Sequence, residues 1–237
     1  MALRSRFRTL SLLTAALAAC SPYVEGNGVY AERTFDAGSG LKPFDAAVIG
    51  FPASVDVNGQ PLAASIFVDP AAAPQVVLGG DENVIQDIQV QADEGEVLHT
   101  TTNRSYHAVH PPQLRITAPQ LVSVGSIGGA GVTVAGAAAA SFAVTAEAGG
   151  RVELSGAGGA KLTAILSGGA ELDASAYPVS SAVLTLGGGS SVTVAPSSQL
   201  SGSADGGSVV KVKADATTAA ALCQGVVLGA GSTCGPL

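Results

Sequence analysis

After Phe44, apolar and polar positions alternate in short runs separated by glycine and proline. Ala46–Ile49, Ser54–Val57, Ser65–Val68, Gln75–Leu78, Gln89–Gln91, Glu96–Thr101 and Leu114–Ala118 each read as a short strand with one side facing a core. One segment breaks the alternation. In Asp81-Glu82-Asn83-Val84-Ile85-Gln86-Asp87-Ile88 the apolar residues Val84, Ile85 and Ile88 share a helical face, and Asp81 stands where a cap is needed. A polar connection, Thr102–His110, then leads through Pro111-Pro112 into the second half.

From Val122 the pattern repeats. The triplets Val132-Thr133-Val134, Val152-Glu153-Leu154, Leu172-Asp173-Ala174, Val192-Thr193-Val194 and Val210-Lys211-Val212 begin 20, 20, 20 and 18 residues apart. Three residues before each lies a glycine: Gly129, Gly149, Gly169, Gly189 and Gly207. Six residues before each, Ser126, Ala146, Leu166, Leu186 or Ala204 closes a second alternating strand. A glycine at one column in every unit calls for a backbone reason, and a sharp corner with φ > 0 supplies one. A period near 20 with two or three short strands per unit is the signature of a β-solenoid. Each unit makes one coil, and stacking gives the coils a continuous core that none could form alone. The reading is an all-β fold, a parallel β-helix, right-handed by the crossover rule.

Composition agrees. The 31 glycines and 12 prolines make up 43 of 237 residues, and there are only 6 Phe, 4 Tyr and no Trp. A thin core filled by Ala, Val and Ser has little room for rings. A charged fraction of 12% argues against a helical bundle and against disorder.

The first residues change the picture of location. Arg4, Arg6 and Arg8 precede an apolar stretch, Leu10–Ala19, which is too short to span a membrane. It ends in Leu17-Ala18-Ala19-Cys20, which resembles the lipobox of bacterial lipoproteins, so Cys20 is the expected lipidation site. The alternative is an ordinary signal peptide cut after Ala-x-Ala. With Ser21 rather than aspartate next, the outer membrane is the expected destination in a bacterial cell envelope. Loss of residues 1–19 removes three arginines and leaves 8 basic against 18 acidic residues, a formal charge of −10. So acidic a chain, with no basic cluster, argues against nucleic acid. Cys223 and Cys234 remain, and in an exported chain the pair is expected to form a disulfide. Zinc or redox chemistry would call for Cys-x-x-Cys with histidines nearby.

Three stretches resemble the head GIN domain family of auto-transporter adhesin-like proteins. They are Pro43-Phe44-Asp45-Ala46-Ala47-Val48, then Gly80–Ile88 followed by Glu94-Gly95-Glu96-Val97-Leu98, and the Leu114–Leu121 step into glycine-rich repeats. The resemblance covers residues 43–213 and implies a right-handed parallel β-helix on a bacterial surface. The family's Ser-Gly-Ser-Gly corners are Gly-Gly variants here, Asn58–Gln75 reads as an insertion, and the Cys223/Cys234 tail lies outside the shared pattern.

Candidate chemistry is sparse. His107 and His110 form His-x-x-His with His99 upstream, in what reads as an exposed loop without a third rigid ligand. Asn103-Arg104-Ser105 matches a glycosylation sequon by chance. Arg151, Glu153, Glu171 and Asp173 occupy matching outward columns, so Glu153 should face Asp173 and Arg151 should face Glu171. The domain plan is a signal peptide at 1–19, a tether at 20–42, a β-helix at 43–213 with clear repeats over 122–213, and a disulfide-closed capping tail at 214–237. The expected function is a lipid-anchored, adhesin-like envelope protein that binds a glycan or envelope protein, with no cofactor, no metal and no catalysis. The alternative is a polysaccharide-active enzyme using the Glu153/Asp173 face.

Overall fold

The computed structural model describes residues 24–51, 61–102 and 104–237. The expected strand Ser54–Val57 and the lipobox with Cys20 lie outside them. The fold is a stack of coils, each made of a front strand, a glycine corner, a back strand and a short third side. In the front sheet, Ser141–Glu147 lies in parallel register between Ser123–Ile127 and Gly159–Leu166, with Val144 opposite both Val124 and Ala164. In the back sheet, Val132, Val152, Leu172, Val192 and Val210 align from coil to coil. All five are buried, so the repeat's apolar column is one continuous ladder through the core. At about 4.8 Å between strands, each coil covers the methyl groups of the next. Filling one such position is worth about 1.5–3 kcal/mol for a Val or Leu side chain.

The first coils are stacked out of sequence order. Val97–Thr101 pairs with Ala46–Gly50, and Gln113–Ala118 pairs with Ala63–Val68, both in parallel. The coil of residues 97–118 therefore lies outside the coil of residues 46–68, although it follows it in the chain. Beyond it the direction reverses. Gln75–Asp81 runs antiparallel to Gln113–Ala118, and Gln89–Ala92 runs antiparallel to Val97–Thr101. The helix α1 (Glu82–Ile85) joins these two antiparallel strands and buries Val84 and Ile85.

Residues 24–42, expected as a tether, are part of the body. Val24–Glu25 pairs with Tyr106–His107, and Tyr30–Phe35 adds an antiparallel strand to Gln75–Asp81. The strand was concealed because Arg33 occupies an inward position. Its guanidinium lies 5.0 Å from the Phe35 ring centre and donates to the carbonyls of Ile85 and Ile88 at the end of α1.

The tail adds another coil rather than only a lid. A second helix, α2 (Ala216–Cys223), forms its third side. Val226–Leu228 then pairs in parallel with residues 202–204, and Thr233–Pro236 pairs in parallel with Val209–Val212. Asp215 caps α2, its Oδ1 accepting from the backbone of Thr217 and Thr218. Ala219 and Leu222 are buried, and the Cys223–Cys234 disulfide ties the helix to the last back strand with the Cα atoms 5.7 Å apart.

Candidate functional site

The glycine column makes the front-to-back corners. Gly129, Gly149, Gly169, Gly189 and Gly207 have φ of +79°, +79°, +76°, +76° and +78°. The residue before each is also left-handed, and at one corner that residue is Ala148 with φ +50°. Two successive positive φ values are the signature of a type I′ turn. The closing bond is present in the first two of these corners, from Ala130 N to Ile127 O at 3.2 Å and from Gly150 N to Glu147 O at 3.0 Å. The buried hydroxyls of Ser190 and Ser208 donate to the carbonyls of Gly187 and Asp205, satisfying polar groups at two further corners. Both corner residues lie in the left-handed region, which favours the Gly-Gly pair found at four of these five corners.

On the back sheet, the outward column runs Thr133, Glu153, Asp173, Thr193 and Lys211. Glu153 does face Asp173, and Arg151 Nη1 lies 3.0 Å from Glu171 Oε2, with both side chains well exposed. Asp173 also accepts from the backbone of Ser175 at 2.9 Å. Among the described residues no group of three or more His, Cys, Asp or Glu side chains is placed to hold a metal ion.

The front sheet differs in chemistry. One outward column runs Ser123, Ala143, Thr163, Val183 and Ser201, and the next runs Gly125, Thr145, Ile165, Thr185 and Ser203. Neither column contains a charged residue. Lys161 and Glu147 stand at the margins. The result is a regular array of hydroxyl and methyl groups that costs less to strip of water than the charged groups of the back sheet.

The histidines are not free loop residues. His99 Nε2 lies 3.0 Å from Asp93 Oδ2, His107 Nδ1 lies 3.1 Å from Glu25 Oε1, and His110 Nδ1 lies 2.8 Å from Asp81 Oδ1. Asp81 does not cap α1; its carboxylate, with 0% of the side chain exposed, turns to the loop and also accepts from the backbone of Val109 and His110. Gly26 makes room for it, since a Cβ there would collide with the carboxylate. Asn83 donates to Glu25 O at 2.7 Å and accepts from Asn27 N at 2.9 Å. The Gly80-Asp81-Glu82-Asn83 stretch thus binds the N-terminal segment to the body. Alongside, Tyr30 meets the His110 ring edge-on at 5.8 Å, and Tyr30 and Arg115 both donate to Glu32. Those bonds hold the Glu32 carboxyl below its usual range. Sequence offered the histidines and the motif separately; their meeting depends on the out-of-order coils.

A family model described as "Putative auto-transporter adhesin, head GIN domain" matches residues 62–216. The chain belongs to the head GIN domain family. The match takes in the Gly80–Ile88 and Leu114–Leu121 stretches and the repeats. No curated protein matches the chain. Among solved structures, a "putative adhesin" from Bacteroides fragilis NCTC 9343 has a TM-score of 0.62 at 13% identity, covering 89% of this chain and 97% of its own. A second "putative adhesin", from Parabacteroides distasonis ATCC 8503, has a TM-score of 0.57 at 14% identity, covering 81% and 85%. A "Putative lipid binding protein" from the same strain has a TM-score of 0.53 at 14% identity, covering 89% and 96%. At these identities the likeness is one of fold: this GIN-domain chain shares their stacked parallel strands.

Proposed function

We propose that this GIN-domain protein is anchored through Cys20 to the bacterial envelope, with the outer membrane as its site, and that it binds a neutral glycan through its front sheet without catalysis. The observation carrying this reading is the asymmetry of the two sheets. The outward column of the back sheet carries Glu153, Asp173 and Lys211, while the two central front columns, from Ser123 to Ser201 and from Gly125 to Ser203, carry no charge and offer hydroxyls and methyls at a regular strand spacing. Repeated shallow contacts across a rigid array suit an extended, uncharged polymer. The description of the family and of its structural neighbours as adhesins agrees with binding at a cell surface. Among the described residues no further His, Cys, Asp or Glu joins Glu153 and Asp173 in a group placed to hold a metal ion. The test screens the purified protein against immobilised neutral glycans and whole cells while reducing ends are measured in parallel. Binding without release is the expected result; release of reducing ends would establish the enzymatic alternative.

A second reading is favoured by one feature. A cavity of about 490 Å³ on the flank is lined by Val68, Pro70, Pro119, Leu121, Val122 and Ala138 among others, with no charged side chain. Its size and apolar walls suit a hydrocarbon chain, and one structural neighbour is described as lipid-binding. Titration with a fluorescent fatty acid, and loss of its binding in Ala138→Trp, separates this reading from the first.

A further inference from the structure

We propose that residues 24–35 form a latch whose grip depends on protonation of His107 and His110. The segment is held by the apolar side chains of Val24, Ala31 and Phe35 and by many polar contacts. Val24 is buried, whereas Val29 and Tyr30 are half exposed. Its hold rests on the short Val24–Glu25 ladder with Tyr106–His107, the Asn83 bonds to Glu25 and Asn27, and the strand Tyr30–Phe35. Two histidines sit at this seam. His107 faces Glu25 of the latch itself. His110 faces the buried Asp81, which packs against Gly26, and its ring touches Tyr30.

Histidine is the side chain that ordinarily changes charge between pH 5 and 8. With both rings protonated, each carboxylate faces a cation. Asp81 then has its buried charge compensated as well as hydrogen-bonded. With neutral rings, Glu25 keeps at most a weak hydrogen bond, and Asp81 keeps a buried charge without a cation, which is costly. Three other charged groups at the seam are already engaged, Arg33 of the latch by the carbonyls of Ile85 and Ile88. Glu32 is taken up by Arg115 and Tyr30, and Arg104 on the same loop is taken up by Asp87. The latch therefore tightens in acid and loosens toward alkaline pH. On the reading that Cys20 is the anchor, release of these twelve residues would lengthen the reach of the body by up to about 40 Å.

Hydrogen exchange of the full chain at pH 5.5 and pH 8.0, corrected for intrinsic rates, tests this. Protection of peptides covering 24–35 is expected to fall about threefold or more at the higher pH, while residues 179–186 in the core stay unchanged. The double variant His107→Gln/His110→Gln should lose that difference, and Glu25→Gln, a surface change that leaves Asp81 intact, should reduce it. Equal protection of 24–35 at both pH values, a parallel loss in 179–186, or a pH difference kept in the double variant would each overturn the proposal. The anchor reading stands or falls separately, on palmitate labelling of Cys20→Ala.

Discussion

Arg151 and Glu171 sit directly opposite each other on adjacent coils of the back sheet, joined by a 3.0 Å contact, and two residues further along the same strands Glu153 faces Asp173. One attractive and one repulsive pair thus stand side by side on an exposed surface. Exposed pairs of this kind contribute little. Glu153→Gln with Asp173→Asn removes the repulsion, and the asparagine can still accept from Ser175. Stability should stay the same or rise by at most about 0.5 kcal/mol. Thermal melts with and without calcium check this, and a calcium-dependent rise in Tm that the double variant loses would show a cation site instead.

The corners give a sharper contrast. A Cβ at Gly169 would meet no atom within 4 Å, so its only obstacle is φ of +76°. Gly169→Val should cost about 1–2 kcal/mol through backbone strain alone, and Gly169→Asn clearly less. Ala148 already carries that strain at φ +50°, so Ala148→Gly should stabilise by up to about 1 kcal/mol. Urea denaturation of the three variants ranks them.

Asp81 is the buried charge on which the N-terminal segment turns. Asp81→Ala removes a fully buried carboxylate and leaves the backbone donors of Val109 and His110 without their partner. A loss of about 1–3 kcal/mol is expected, measured by denaturation, with residues 24–35 losing amide protection first.

At the other end, Thr218 and Thr217 hydrogen bonds hold the Asp215 carboxyl below the usual aspartate value. A group depressed in the folded state stabilises above its unfolded pKa, near 4, and that support is lost as pH falls through the lower folded value. The amides of α2 should therefore lose protection on acidification from pH 5 to pH 3. Asp215→Asn, which still caps, should flatten that dependence. The Cys223–Cys234 bridge closes a separation of 11 residues, and reducing it should cost up to about 3 kcal/mol, seen as a lower Tm in reductant.

The repeats were legible because each obeys a local rule. Alternation placed Val152 and Leu172 inward, and a left-handed corner selected glycine at Gly149 and Gly169. The N-terminal cap was not legible, for two reasons. Arg33 stands at an inward strand position and hides the alternation of Tyr30–Phe35. The pairing of Val97–Thr101 with Ala46–Gly50 is a long-range choice that no local pattern encodes. The same holds for the partners of the histidines, since Glu25 lies 82 residues from His107. In the tail, Val226 was visible as apolar, but its membership of a further coil depends on α2 replacing a third side.

The most direct test of the front sheet as the binding surface compares charge placed on its two sides. Thr145→Glu with Thr185→Glu puts carboxylates into an outward front column without touching the core. Glu153→Gln with Asp173→Asn alters the back. Binding of each protein to the glycan or cell type that retains the wild type is measured by surface plasmon resonance or sedimentation. Binding through the front sheet predicts a loss of about tenfold or more in affinity for the front variant, equivalent to about 1.4 kcal/mol or more, and no change for the back variant. Unchanged binding by the front variant, or loss confined to the back variant, would contradict it.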